Sequence, residues 1–420
     1  MKVKKWLLGF FVILLAVSLA LQIDDKQSLE SKKWNQEVAQ WSQQPSQAFY
    51  LQLGLEAADD EDPIALGLER LKQVEIAYSG HLIHEDGSTV TFNDPLEGRR
   101  GSFELPNDFC EPYNSGCIDT IKNKTPYYAE LLSKNHILLE RYIKFLALND
   151  YLITTSPNTT VIFGEYEPII KANKLYQLQL LLNSNNLESD TLELIRLSRL
   201  KLAQSNTLMA KMVHLANIQL NLDFYNQLLN NNLIAGKTTI PGLTTEESSL
   251  DATVKFEHAF ATAQTKLIAK LPEYSNFSFL KRFWHNMFFK QNMSINTDYQ
   301  SKQDWLSYTK LSAKEQALPN ALKITEPDIS QKVRNYGGRT LMGYSLPAYK
   351  DYSLRLHNLQ SKINLINWYQ KHRDFELSDL KSTAAINNFA TGEAYLEQEK
   401  SLLCLPTPKP GKKNHHCIAI

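Results

Sequence analysis

Long stretches of this chain repeat apolar residues every three or four positions. Leu131, Leu132, Ile137, Leu138, Tyr142, Phe145 and Leu148 make one broad apolar face beyond Pro126. From there to Gly236 the chain is poor in breakers, and between Pro168 and Gly236 it has neither glycine nor proline. Within that stretch the polar run from Asn183 to Asn186 predicts a turn, and Ser189 or Asp190 is placed to cap the next helix. Leu208, Met212, Leu215, Ile218, Leu222, Tyr225 and Leu229 then predict one face of a long helix. Helix hairpins joined by short polar turns are the expected result. Further helices are predicted from Thr253 to Leu271, stopped by Pro272, and through Tyr352, Leu356, Leu359, Ile363 and Ile366. A last one is expected from Ser378 to about Lys400. The glycine- and proline-containing connection from Gly236 to Thr245 is the candidate subdomain boundary.

Two segments break this pattern. Lys2, Lys4 and Lys5 precede an apolar run from Trp6 to Ile23, and Asp24 and Asp25 follow it. The run of about 18 residues fits a membrane helix. It also fits a cleaved signal, with small residues at Ser18 and Ala20. Charge placement puts its start in the cytoplasm. The expectation is therefore a single-pass inner-membrane protein, held by residues 6–23, with a polar helical stalk over 24–45. Residues 46–420 would form a periplasmic helical domain. The second exception lies near residues 81–92, where apolar positions flank Asp86-Gly87 and predict a small β-hairpin inserted in an otherwise mainly α fold. His81, His84 and Glu85 read as its polar tip and not as metal ligands.

The run Asp59, Asp60, Glu61, Asp62 before Pro63 suggests a calcium loop. Helix capping by Asp62 ahead of Pro63 explains it better, because the alternating ligands of a calcium loop are missing. Lysine plus arginine and aspartate plus glutamate number 45 each, so there is no basic excess to suggest nucleic acid. The abundant asparagine and glutamine suit polar helix surfaces and loops. The four cysteines, in an exported chain, read as disulfides closing locally: Cys110 with Cys117 and Cys404 with Cys417. The alternative, a metal held by Cys404, His415, His416 and Cys417, has irregular spacing, so no metal or cofactor is expected. Phe283, Trp284 and Phe288 belong to the densest aromatic segment. They are expected in the core, with a partner-binding face as the alternative.

No nucleophile elbow, His-Glu-x-x-His motif or phosphate loop is present, and the glycines of Arg334–Gly343 lack the Gly-Lys-Ser/Thr ending of the latter. Several features together resemble a family of proteobacterial envelope proteins with no assigned activity. They are the apolar N-terminal run, Leu53-Gly54 ahead of the acidic run, Asp62 to Ala65, the Cys110–Cys117 loop and Arg339 to Lys350. The resemblance implies location and helical content and carries no site residues. The expected function is binding of another cell-envelope component, most naturally a protein. A hydrolase acting on envelope polymers is one alternative. A carrier whose cavity is lined by Phe277–Phe289 is another.

Overall fold

The computed structural model describes residues 2–81, 93–103, 105–158, 162–268, 278–326, 328–345, 349–389, 392–407 and 416–420. It is built from helices in chain order. The first four are α1 (Lys2–Ala20), α2 (Leu29–Trp41), α3 (Gln47–Leu53) and α4 (Pro63–His81). Then follow α5 (Cys117–Asn123), α6 (Thr125–Lys134), α7 (His136–Ala147), α8 (Tyr166–Asn183), α9 (Leu187–Gln204) and α10 (Leu208–Asn230). The second half holds α11 (Thr245–Ser248), α12 (Asp251–Ile268), α13 (Phe279–Phe288), α14 (Gln291–Thr309) and α15 (Ala313–Gln316). It ends with α16 (Ile329–Arg334), α17 (Tyr336–Ser345) and α18 (Tyr349–Lys371).

Local chemistry sets many of these starts. Asp62 Oδ1 accepts from the Ile64 amide at 2.9 Å, so the acidic run does cap α4. Ser28, Ser46 and Thr207 cap α2, α3 and α10 in the same way. Asn186, and neither Ser189 nor Asp190, sits at the start of α9; Asp190 instead accepts from Ser184 Oγ at 2.6 Å.

The expected membrane arrangement is corrected. Among the described residues no helix is long and apolar enough to cross a membrane. The lysines lie in the first turn of α1 and the helix ends at Ala20. Its apolar part, Trp6–Ala20, rises roughly 22 Å, short of the roughly 30 Å hydrocarbon core. A single-pass inner-membrane location with a periplasmic body is therefore not supported. The segment read as a stalk holds α2, which lies against α12 and α14 with Trp34 and Val38 buried.

The main core is continuous from Trp34 to Ile418, with residues on both sides of the 236–245 connection contributing to it. At its centre lies α10, packed against α8, α9, α12, α18 and the C-terminal strand Cys417–Ala419. Leu208, Leu215, Ile218, Leu222, Tyr225 and Leu229 are buried as their spacing predicts. The rest of the helix is not the solvated face that spacing implied. Asn217, Gln219, Asn221, Asn226 and Gln227 are buried too. Asn221 acts as a cross-link: Gln177 Nε2 donates to Asn221 Oδ1 at 2.8 Å, and Asn221 Nδ2 to Ser198 Oγ at 3.0 Å. Asn226 and Asn230 both donate to the Ala419 carbonyl. Asn221, Asn226 and Asn230 thus satisfy buried groups, while Asn217 Oδ1 and Gln219 Nε2 are buried without a hydrogen bond.

The predicted hairpin of 81–92 lies outside the described residues, apart from His81 at the end of α4. The sheet that is seen forms elsewhere. Strands β1 (Tyr395–Glu397), β2 (Leu402–Cys404) and β3 (Cys417–Ala419) pair antiparallel in that order. The helix expected over 378–400 is instead a 3-10 segment, Leu377–Ile386, followed by β1. Side chains bend the chain there. Asn387 Nδ2 holds the Gly392 carbonyl at 3.0 Å, and Thr383 Oγ1 accepts from the Ala394 amide at 2.6 Å.

Both expected disulfides are present. Cys110 and Cys117 have Cα atoms 5.4 Å apart, and Gly116 supplies the positive φ of 76° that leads into α5. Cys404 and Cys417 are cross-strand partners of β2 and β3, with Cα atoms 4.0 Å apart. Non-reducing peptide mapping should recover these two links. Reduction should cost roughly 2–3 kcal/mol for each short loop in a denaturant titration. A Cys110 link to either C-terminal cysteine would overturn the pairing.

Candidate functional site

The residues singled out from sequence do not converge. The Cys404 and Cys417 sulfurs lie with a ring nitrogen of buried His416 within 4.8 Å of one another, but both sulfurs are spent in the disulfide and offer no thiolate. In α13, Met287 is buried, Phe283 is half-buried and Phe288 is 41% exposed, while the Trp284 side chain lies outside the described residues. The glycines of 334–343 are helical, in α17, and Gly338 packs against Ser294 and Asn335. Glu61 of the acidic run pairs with Arg99 at 2.7 Å.

A groove of about 1000 Å³ runs between α9 and the 237–244 connection. Two devices hold its far wall. Glu188, in the first turn of α9, accepts from the amides of Ala235, Gly236, Lys237 and Thr238 at 3.0–3.4 Å. The positive φ of Gly236, 67°, lets these successive N–H groups turn toward one carboxylate. Lower down, Arg199 makes a buried, bidentate pair with Glu247, at 2.8 Å from Nε and 2.6 Å from Nη2. The same guanidinium donates to the carbonyls of Pro241 and Gly242 at 2.6 and 2.5 Å. Glu247 also closes a capping box with Thr244 at the start of α11. Along the near wall Arg196 is paired with Glu193 at 2.7 Å. What the groove presents is an apolar floor of Leu192, Ile240 and Pro241, the hydroxyls of Ser189, Thr238 and Thr239, and the Lys237 cation.

A second constellation joins three helices. Ser31 Oγ of α2 lies 2.9 Å from His258 Nε2 of α12, and His258 Nδ1 lies 2.7 Å from Asp298 Oδ2 of α14. Lys302 Nζ, one turn along α14, is 3.3 Å from Asp298 Oδ1. All four side chains are buried. Burial would raise the Asp298 pKa, but Lys302 and the His258 hydrogen bond outweigh it and hold the carboxyl below its usual value. Trp34 and Tyr299 stand edge-on to the imidazole, with centroids 5.7 and 5.6 Å away. Chemically this is the order of a nucleophile, a base and an orienting acid.

A third cluster is cationic and closed. Lys201 and Lys211 donate to main-chain carbonyls at helix ends, Lys201 to Leu148 and Lys211 to Leu202 at 2.9 Å and Glu246 at 3.2 Å. Burial pushes both ammonium groups down to about 8. Beside them His214 is stacked on Phe145 and meets Tyr151 edge-on at 5.0 Å. Burial first, then the two lysines, pushes His214 down to about 3. On the opposite side of α3, Arg100 bridges Glu56 and Glu165 at 2.6 and 2.7 Å, and Arg70 holds Asp94 bidentately at 2.7 Å. Burial, then Glu165, pushes the Glu56 pKa up. These groups tie the 93–100 loop to the body.

None of these sites has a local signature. Ser31 and His258 are 227 positions apart, His258 and Asp298 40 apart, and Glu188 meets its amides across 47 to 50 positions. Single helical residues of this kind are indistinguishable in sequence from surface polar positions. Comparison with family models, with curated proteins and with solved structures finds no match for the chain.

Proposed function

We propose that this chain acts by binding a partner protein, and that the groove beside α9 is the seat. One observation carries the reading. The groove is preformed: Glu193 and Glu247 pair with Arg196 and Arg199, Glu188 holds backbone amides and Asp190 holds the Ser184 hydroxyl, so the groove offers shape, hydroxyls and the Lys237 cation. Pre-ordered walls spare a ligand the cost of arranging them. An extended peptide segment fits such a surface, with apolar side chains on Leu192 and Pro241 and a carboxylate near Lys237.

A photocrosslinking residue at position 239 should capture the partner, and one in the separate concavity near Lys323 should not. The double change Leu192→Asp with Thr239→Asp should weaken capture at least about tenfold, the effect of losing roughly 1.4 kcal/mol. Thr239 is exposed and Leu192 is only partly buried at the edge of the core, so the variant should keep a cooperative thermal transition at a somewhat lower temperature. Unchanged capture by a folded double variant would overturn the assignment of the groove.

A further inference from the structure

We propose that Ser31, His258 and Asp298 form a latent acyl-transfer centre, with Ser31 the nucleophile toward carboxylic esters that carry a small apolar acyl group. The positions of the protons follow from the partners. Asp298, beside Lys302, is ionised and only accepts, so His258 Nδ1 carries the hydrogen between them. Nε2 is then left with its lone pair facing Ser31 Oγ at 2.9 Å. Gln27 Nε2 donates to the same oxygen at 2.9 Å, and the hydroxyl keeps its own proton for the lone pair of His258 Nε2. This is the tautomer able to take that proton as the nucleophile attacks.

The chemistry then balances without a further reactant. Oγ bonds to the carbonyl carbon as its proton passes to Nε2. The bond to the alcohol oxygen breaks, and the alcohol leaves with that proton. Water next attacks the acyl-serine and gives a proton to Nε2, which returns it to the departing Oγ. The amides of Leu29 and Glu30, in the first turn of α2, are the donors on that turn without intrahelical acceptors. Trp34 and Tyr299 stand edge-on beside the imidazole, so an acyl group entering there would meet apolar rings, which favours a small apolar one.

Ser31 is fully buried, so the centre has a cover. The cover is the arm of residues 24–28, whose half-exposed Gln27 reaches Oγ. Polar contacts pin the arm to α14. The Asp24 carboxylate accepts from the amides of Asn292 and Met293 at 2.8 and 3.2 Å, and Asn296 bonds the Ser28 amide and the Lys26 carbonyl. Surface contacts of this kind open more readily than a packed core.

The test is exposure of the full-length protein to a fluorophosphonate probe, with peptide mapping of the adduct. The expected result is modification of Ser31 in the unaltered protein and faster modification in Gln27→Ala. His258→Gln should slow the reaction about 10³-fold or more, and hydrolysis of p-nitrophenyl butyrate should follow the same order. Mapping the adduct in the unaltered chain keeps the result independent of whether the His258 variant folds. Label confined to other serines, or absent from both the unaltered and Gln27→Ala proteins while each shows a cooperative unfolding transition, overturns the proposal and leaves the three residues as a polar clamp between helices.

Discussion

Acidification from pH 6.5 toward pH 3 should destabilise the fold by several kcal/mol through His214 alone. Its ring is enclosed by Phe145 and Tyr151, with the Lys201 and Lys211 cations nearby, and its pKa falls from 6.5 to about 3. Above pH 6.5 the ring is neutral in both states and contributes no pH dependence. Below 6.5 the unfolded chain takes up a proton that the folded protein refuses, so stability falls with pH until the folded value is reached. A difference of that size corresponds to about 5 kcal/mol at the acid limit. Asp298 acts in the same direction at lower pH, since its folded pKa is depressed and its stabilisation is lost as pH falls. Urea titrations at closely spaced pH values measure the slope. His214→Gln should flatten it between pH 6 and 4, whatever its effect at neutral pH. A slope unchanged by that substitution would show that the imidazole is protonated in the folded state. Lys201 and Lys211 add a term of the same sign at higher pH. Their values of about 8 mean that stability should rise from pH 8 to 10 as the folded ammonium groups lose their protons first.

Glu247→Ala should cost roughly 3–5 kcal/mol, because it leaves the Arg199 guanidinium buried without its counter-charge. The same change removes the capping box of α11 and takes away the carboxylate that orients Arg199, the donor to Pro241 and Gly242. The groove should therefore lose its far wall together with the stability. Replacing both partners, Arg199→Met with Glu247→Leu, should recover a large part of the loss, since no buried charge then remains. It should not restore partner capture, because the carbonyls of 241 and 242 no longer have their donor. Thermal denaturation of the two single variants and the double variant gives the coupling energy. Additive losses would show that the pair is not the support of that wall.

The consequence for function is a division of labour. The groove depends on the α9 side of the molecule, through Glu188 and Arg199. The Ser31 relay depends on α2, α12 and α14, which share none of the groove's supporting residues. Substitutions that disable one should leave the other measurable.

Much of this protein was decided by its sequence alone. The apolar periods of 131–148 and 208–229 become α6, α7 and α10. Asp62 ahead of Pro63 caps α4, and the four cysteines close locally, because each of these choices depends on neighbours within a few positions. Periodicity could show which face of α10 is apolar. It could not show that its asparagines and glutamines are also buried, since that follows from helices surrounding it on all sides. Counting apolar residues at the N-terminus suggested a span, and the helix boundary at Ala20 removed it. The expected helix from Ser378 to about Lys400 gave way, in its described residues, to the 3-10 segment Leu377–Ile386 and the strand Tyr395–Glu397. Asn387 and Thr383 found backbone partners at Gly392 and Ala394, and β2 offered a pairing edge to Tyr395–Glu397. The groove and the Ser31–His258–Asp298 relay belong wholly to tertiary structure. Their members are single residues on separate helices, brought within 3 Å or so by packing, and no local pattern encodes a distance across the core.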